Sequence, residues 1–510
     1  LHAPARWQQL AVHATFEDGH REDVTSLTTF STTDRAVADV DRAGLVEFKG
    51  QGEVAILCRY LGGMATVRLM HIATPDPKYV WPSPIENNYV DRHVFAKLKL
   101  LHISPSGLCS DAQFIRRAFL DVCGILPTPQ ETWEFVASPD PTKRSLLVDR
   151  LLQRPEYVDL WTKKWMDVLR VSRDSIQLAG AQAYRDWLKE RIANDVSLAD
   201  LAAELLTSRG ESFKDPAANF YAVARDPKEI TDPIYLQKDL AEATSQLFLG
   251  VRLQCAQCHN HPYERWTQND YLALAACFTQ VKRSRLGKAG PAGRPDRRQM
   301  AIELNFEAAE ITRPNSNDPI APGFFGTPAE SVSPPEKDAT EKDAPQEGAN
   351  VAVQQDRRQQ LANWLTEKDN PFFAKAIVNR VWFHLNGRGI VNPVDDFRDS
   401  NPPANDELLD ALAADFVANG YQMKPLIRTI INSRTYQLDV ATDEKNRRDV
   451  RYFSHRIPRP LTAEVLLDAI CEVTAVAEPY EVMQDYIEGV PTETVKFPLG
   501  TRAVQLPVND

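Results

Sequence analysis

The residues best able to do chemistry are Cys255-Ala256-Gln257-Cys258-His259, two thiols three apart followed at once by an imidazole. This spacing is the covalent attachment pattern of a c-type haem: each thiol can add across a vinyl group, and the adjacent histidine is held where it can ligate the iron. Cys255, Cys258, His259 and His261 are also four ligands suited to a tetrahedral zinc. Structural zinc sites normally take their second ligand pair from a separate turn, which this string does not offer. A disulfide or redox dithiol is the third chemistry open to the cysteines, although no βαβ pattern surrounds them.

With His259 as the proximal iron ligand, the sixth position has three candidates. His384 stands among Trp382, Asn386 and Arg388, a polar and aromatic group suited to a haem-facing surface, and Arg388 belongs to that group. Met166, on the helical stretch of Trp161 and Trp165, is an alternative that would raise the potential, and His455 is a third. His261 is too close to His259 to reach the opposite haem face and suits a propionate or a backbone carbonyl. Trp266 is a candidate to pack on the ring, with core packing as its other use. The remaining polar cluster is Asp395-Asp396 with Arg398. Paired carboxylates could do acid–base work or bind calcium, or they could simply pair with the arginine. No second carboxylate pair completes a hydrolytic site.

The elements that must position these residues follow from periodicity. Residues 1–74 alternate with a period of two and are punctuated by Asp18-Gly19 and Gly62-Gly63, which predicts an all-β, immunoglobulin-like sandwich. The Pro-rich stretch 75–89 reads as a stiff linker. Over 90–281 the period is 3.6 and the pattern is helical. Thr128-Pro129-Gln130-Glu131 is a helix start, and Asp232-Pro233 opens a helix that ends at Gly250, just before the cysteines. Residues 282–357 read as a small β-containing insertion. It has a basic Gly/Pro-rich run, a strand at Met300 to Phe306 and a mobile low-complexity tail at 331–350. Helical patterning resumes over 358–510, with Asn370-Pro371 as a cap. The fold class expected is therefore multidomain, an N-terminal β-sandwich followed by a mainly α haem-binding region with a small β-containing insertion.

Composition narrows the partners. The chain has 510 residues, 43% hydrophobic and 25% charged, and a net charge of -11, which disfavours nucleic acid. No apolar run is long enough to span a membrane. The seven cysteines form no disulfide framework, so the haem motif is what argues for a periplasmic, exported or cell-surface location.

Two sets of strings resemble a known family. Phe114-Ile115-Arg116-Arg117-Ala118-Phe119-Leu120-Asp121, Gly124 to Pro129, and Cys255 to Trp266 are similar to the Planctomycete cytochrome C-like (cytochrome-2 type) domain. Asn379 to His384, Gly387 to Val391, and Asp395 to Arg398 with Asn401-Pro402-Pro403 resemble Planctomycete-specific domain 1, which follows it. Asp23-Val24-Thr25, Phe30 to Asp34 and Val46 to Gly50 resemble a bacterial immunoglobulin-like group 2 domain. Similar proteins continue past a Gly-Thr-Arg-Ala-Val-Gln-Leu-Pro segment, so the last domain is expected to be incomplete. The resemblance implies one covalent haem c, and polysaccharide metabolism as a setting. The expected function is electron transfer or haem-dependent oxidation, with a redox partner protein and a carbohydrate-derived substrate. The alternatives are a non-catalytic surface or carbohydrate-binding scaffold with structural haem or zinc, and, more weakly, a metal-dependent hydrolase using Asp395 and Asp396.

Overall fold

The computed structural model describes residues 1–508 except 17, 76, 78, 224–232, 262–263, 287–298, 315, 317, 326–354, 484–485, 488–489 and 492–493. The alternating N-terminal residues form eight short strands: β1 (Trp7–Gln9), β2 (His13–Thr15), β3 (Arg21–Asp23), β4 (Thr29–Thr32), β5 (Ala38–Val40), β6 (Leu45–Phe48), β7 (Gly52–Tyr60) and β8 (Gly63–His71). The strands pair antiparallel, in sheets ordered β1-β6-β5 and β4-β7-β8 with a β2-β3 hairpin, and a single parallel bridge joins His2 to Ile72. Leu10, Ala38, Val46, Phe48, Val54, Ile56 and Cys58 fill the space between them, consistent with an immunoglobulin-like sandwich.

Strand β7 departs from simple alternation, because Val54 through Cys58 are all buried. A strand buried on successive residues has both faces covered. Here the second cover is the helical body. Ala55 and Glu53 face Ile390, Ala404 and Arg451 across a cleft of about 150 Å³. Glu53 pairs with Lys97 at 2.5 Å, with both side chains about one-tenth exposed, and Arg68 pairs with Asp406. The Pro-rich linker therefore leads into a docked module, not one held at a distance. Glu53→Ala would leave the Lys97 ammonium enclosed without its carboxylate, and we expect a loss of about 3 kcal/mol in urea unfolding. A loss below about 1 kcal/mol would show that the docking does not depend on this pair.

The helical region comprises α1 (Tyr89–Leu100), α2 (Asp111–Cys123), α3 (Pro129–Ala137), α4 (Lys143–Leu151), α5 (Pro155–Val168), α6 (Arg173–Ala193, broken at Gln177), α7 (Leu198–Thr207), α8 (Asn219–Ala222), α9 (Pro233–Thr244), α10 (Gln268–Ala276), α11 (Arg357–Leu365), α12 (Phe373–Asn386), α13 (Asp406–Ala418), α14 (Met423–Asn432) and α15 (Ala463–Thr474). Local chemistry sets several ends. Ser110 with Gln113 and Thr128 with Glu131 form reciprocal capping boxes, and Asn370 accepts from the Phe372 and Phe373 amides. One continuous apolar core runs from Val90 to Val508 and draws on both sides of the insertion. No helix among the described residues is long and apolar enough to cross a membrane.

The strand expected near Met300 is present as Met300–Leu304, antiparallel to Val281–Arg285 and to Gly210–Glu211. The start of the basic run is thus sheet, and Met300 and Ile302 join the main core. The tail at 331–350 lies outside the described residues.

Candidate functional site

Helix α9 does not run smoothly into the cysteines. Ser245–Leu249 form a π-helical turn that buries Leu247, Phe248 and Leu249, and Gly250 ends it at φ +68°. A side chain at Gly250 would also collide with the Phe397 ring, 2.6 Å from where its Cβ would lie, so glycine is required twice over. Val251, Leu253 and Ala256 are buried, while Cys255, Cys258 and His259 are exposed around the 3₁₀ turn Gln254–Gln257. Apolar residues anchor the turn from inside and leave its reactive groups facing out.

The turn is braced by the start of α10, whose Gln268 donates from its side chain to the Gln257 carbonyl (3.1 Å) and from its backbone to Asn260 Oδ1 (3.0 Å). His259 Nδ1 lies 2.7 Å from the Asn260 carbonyl. A carbonyl can only accept, so Nδ1 carries the hydrogen and the lone pair is on Nε2. That tautomer and orientation are what an imidazole needs to ligate a metal through Nε2.

Tertiary structure adds a second loop. Phe397 N–H donates to the Gly250 carbonyl, and Asp395 accepts from the side chains of Gln246 and Arg252. Asp396 is buried and paired with Arg398 at 2.8 Å. Glu264, buried six residues past Cys258, accepts from Ser400 Oγ (2.5 Å) and the Asp399 amide (3.2 Å). The two strings far apart in sequence, Cys255 to Trp266 and Asp395 to Asn401, are one structural unit. Asp395 and Asp396 spend their carboxylates on arginines, so they brace the motif and do not present a free acid–base pair.

Charge in this unit follows from enclosure. Burial, then the Arg398 guanidinium, lowers the His261 pKa, with Asp396 opposing and His259 adding. Burial holds the Asp395 carboxyl back less than Arg252 and Gln246 favour its charge, so it titrates below the usual carboxylate range. Glu264 is pushed the other way, raised by burial and by Asp399 despite its hydrogen bonds. A raised folded pKa makes the native state bind the proton more tightly than the unfolded chain, whose value is near 4.5. The resulting stability is full below that pH and is lost as pH rises through the folded value. Glu264→Gln removes the dependence, so its urea midpoint relative to wild type should rise between pH 4 and pH 7. A constant difference would show that Glu264 carries no such linkage.

The other sequence candidates make the following contacts. Trp266 is packed on Phe325 (4.5 Å) and Phe372 (6.2 Å), with Arg265 over its face, and is core material. Met166 is buried on α5, His384 meets Trp161 of the same helix, and Arg388 lines the cleft against the β module. His455 Nδ1 contacts Ser454 Oγ at 3.3 Å. Cys255, Cys258, His259 and His261 lie on one short stretch of chain around the 3₁₀ turn. Sequence reasoning passed over Asn260, Glu264, Gln268 and Ser400. Only Asn260, adjacent to the motif, had a local signal.

The donor set fits a c-type haem: two accessible thiols three apart and an imidazole with Nε2 free. Among the described residues no three His, Cys, Asp or Glu side chains are gathered to hold a metal ion. All seven cysteines are free thiols.

Residues 89–283 match the family model PSCyt2, described as a protein of unknown function (DUF1549), and residues 357–492 match PSD1, likewise described as a protein of unknown function (DUF1553). No curated protein and no solved structure gives a match.

Proposed function

We propose, from the matches of residues 89–283 to PSCyt2 and 357–492 to PSD1 together with the resemblance of these stretches to Planctomycete cytochrome-like domains, that the chain is a monohaem c-type protein of the cell exterior acting in electron transfer or haem-dependent oxidation. The single observation that carries this reading is the outward turn on which both thiols are exposed and the Asn260 carbonyl leaves His259 Nε2 as the free ligand atom.

Cys255 and Cys258 would hold the porphyrin, each adding its sulfur and its proton across one vinyl bond, and His259 would hold the iron. The group so held supplies one-electron chemistry. The protein's own part is orientation. The Asn260 carbonyl fixes the imidazole tautomer and raises its basicity, Gln268 holds the turn, and the loop 395–400 keeps it against the helical core. A redox partner protein would meet the exposed turn, and where the protein acts as an oxidoreductase a carbohydrate-derived substrate would supply the electrons that this partner takes up. No residue is assigned to the sixth iron position.

Protein exported through a c-type haem maturation system should keep its Soret band after acid–acetone extraction, at one haem per chain. One equivalent of zinc and no haem would overturn the proposal.

A further inference from the structure

A second group of unusual side chains lies where α5 meets the end of α12. The Lys164 ammonium sits 5.8 Å over the Trp161 ring, and the His384 ring meets the same tryptophan at 5.9 Å. Arg380 is one turn before His384 on α12. Arg459 packs its stem over Gly387 at the helix end, 3.1 Å from where a Cβ there would lie. Lys164, Arg380 and His384 are each half-buried and Arg459 is 31% exposed, so solvent reaches the recess where these side chains meet.

The recess is short of negative charge. Arg456 and Arg459 share the single carboxylate of Asp121. Asp395, near Arg380, is taken by Arg252, and Asp167 and Glu464, near Lys164, are taken by Lys163. Among the described residues Lys164 has no ion pair. Among the same residues Arg380 reaches the Gln246 carbonyl at 3.5 Å, and its Nε has no acceptor. The Trp161 indole N–H, buried against both Lys164 and His384, is also without an acceptor. Burial, then Arg459, brings the Lys164 pKa down to about 8, and burial, then Lys164, Arg380 and Arg459, pushes the His384 pKa well below that of a free imidazole. Like charges confined in a poorly solvated place are costly unless an anion joins them, and a neutral imidazole and an indole can still donate hydrogen bonds to it.

We propose that the recess formed by Lys164, Arg380, His384, Arg459 and Trp161 binds a divalent tetrahedral oxyanion of the phosphate class. A divalent group matches the excess of cations better than a monocarboxylate, and a planar guanidinium with an ammonium and two N–H donors suits tetrahedral oxygens. The site involves neither cysteine, so it stands whether or not haem is attached.

The test is calorimetric titration of the full chain with inorganic phosphate, phenyl phosphate and acetate. Phosphate is expected to bind at least tenfold more tightly than acetate. Lys164→Met should weaken phosphate binding at least tenfold, while Lys164→Arg should retain it. Phenyl phosphate binding tighter than phosphate would identify the anion as a substituent of a larger ligand, and equal affinities a free anion; both support the site. A readout on unaltered protein does not depend on the variants folding: phosphate should slow acetylation of Lys164 at least tenfold relative to exposed lysines, read by mass spectrometry. No phosphate binding, equal acetate binding, undiminished binding in a folded Lys164→Met protein, or unprotected Lys164 would each overturn the proposal.

Discussion

Cys255→Ala/Cys258→Ala protein, matured beside wild type, is expected to carry no haem after acid–acetone extraction while folding normally. The first half follows from chemistry, since thioethers are the only covalent links the turn can make. The second follows from structure. Both side chains are exposed, and the turn is anchored instead by Leu253, Ala256 and the two Gln268 hydrogen bonds. Replacing exposed side chains changes stability by about 0.5 kcal/mol or less, so the urea midpoint should match that of haem-free wild type. Each single variant keeps one thiol and should retain covalent haem at lower yield. Covalent haem in the double variant would place attachment elsewhere. Loss of folding with loss of haem would instead make the cysteines structural.

Asp121→Ala is expected to have the largest effect on stability, a loss of about 3–5 kcal/mol in urea unfolding. Asp121 is buried on α2 and joins it to the segment after α14. Its Oδ2 accepts from Tyr436 (2.8 Å) and Arg456 (3.0 Å), and its Oδ1 from Arg459 (2.6 Å). Burial alone would raise its pKa, but Arg456, Arg459 and the Tyr436 hydroxyl outweigh it and hold the carboxyl below its ordinary value of 3.8. Removing it leaves the Arg456 guanidinium buried and unpaired. The contribution is full above the unfolded pKa near 3.8 and is lost as pH falls through the lower folded value. The gap between wild type and variant should therefore narrow in acid. A loss below about 1 kcal/mol at neutral pH, or a gap independent of pH, would contradict this account.

The sequence by itself determined what is local. The spacing of Cys255, Cys258 and His259 is what the haem proposal rests on, the box at Thr128 and Glu131 starts its helix where the residues say it should, and the period of two in the first 74 residues becomes antiparallel strands. Each signal is complete within a turn or two of chain, where sterics and capping act without help from the rest of the fold. Tertiary structure alone decided which distant segments meet. Asp395 to Ser400 closes on the cysteine turn through Gly250 and Glu264, Trp266 turns into the core, and the unbroken apolar run of β7 is buried by docking on the body. Lys164 and Arg459, basic neighbours of His384, are likewise brought to it by tertiary structure. The reason is physical. An apolar face specifies that it must be covered, but many partners satisfy that demand equally well locally, and only the packing of one shared core, Val90 to Val508, selects among them.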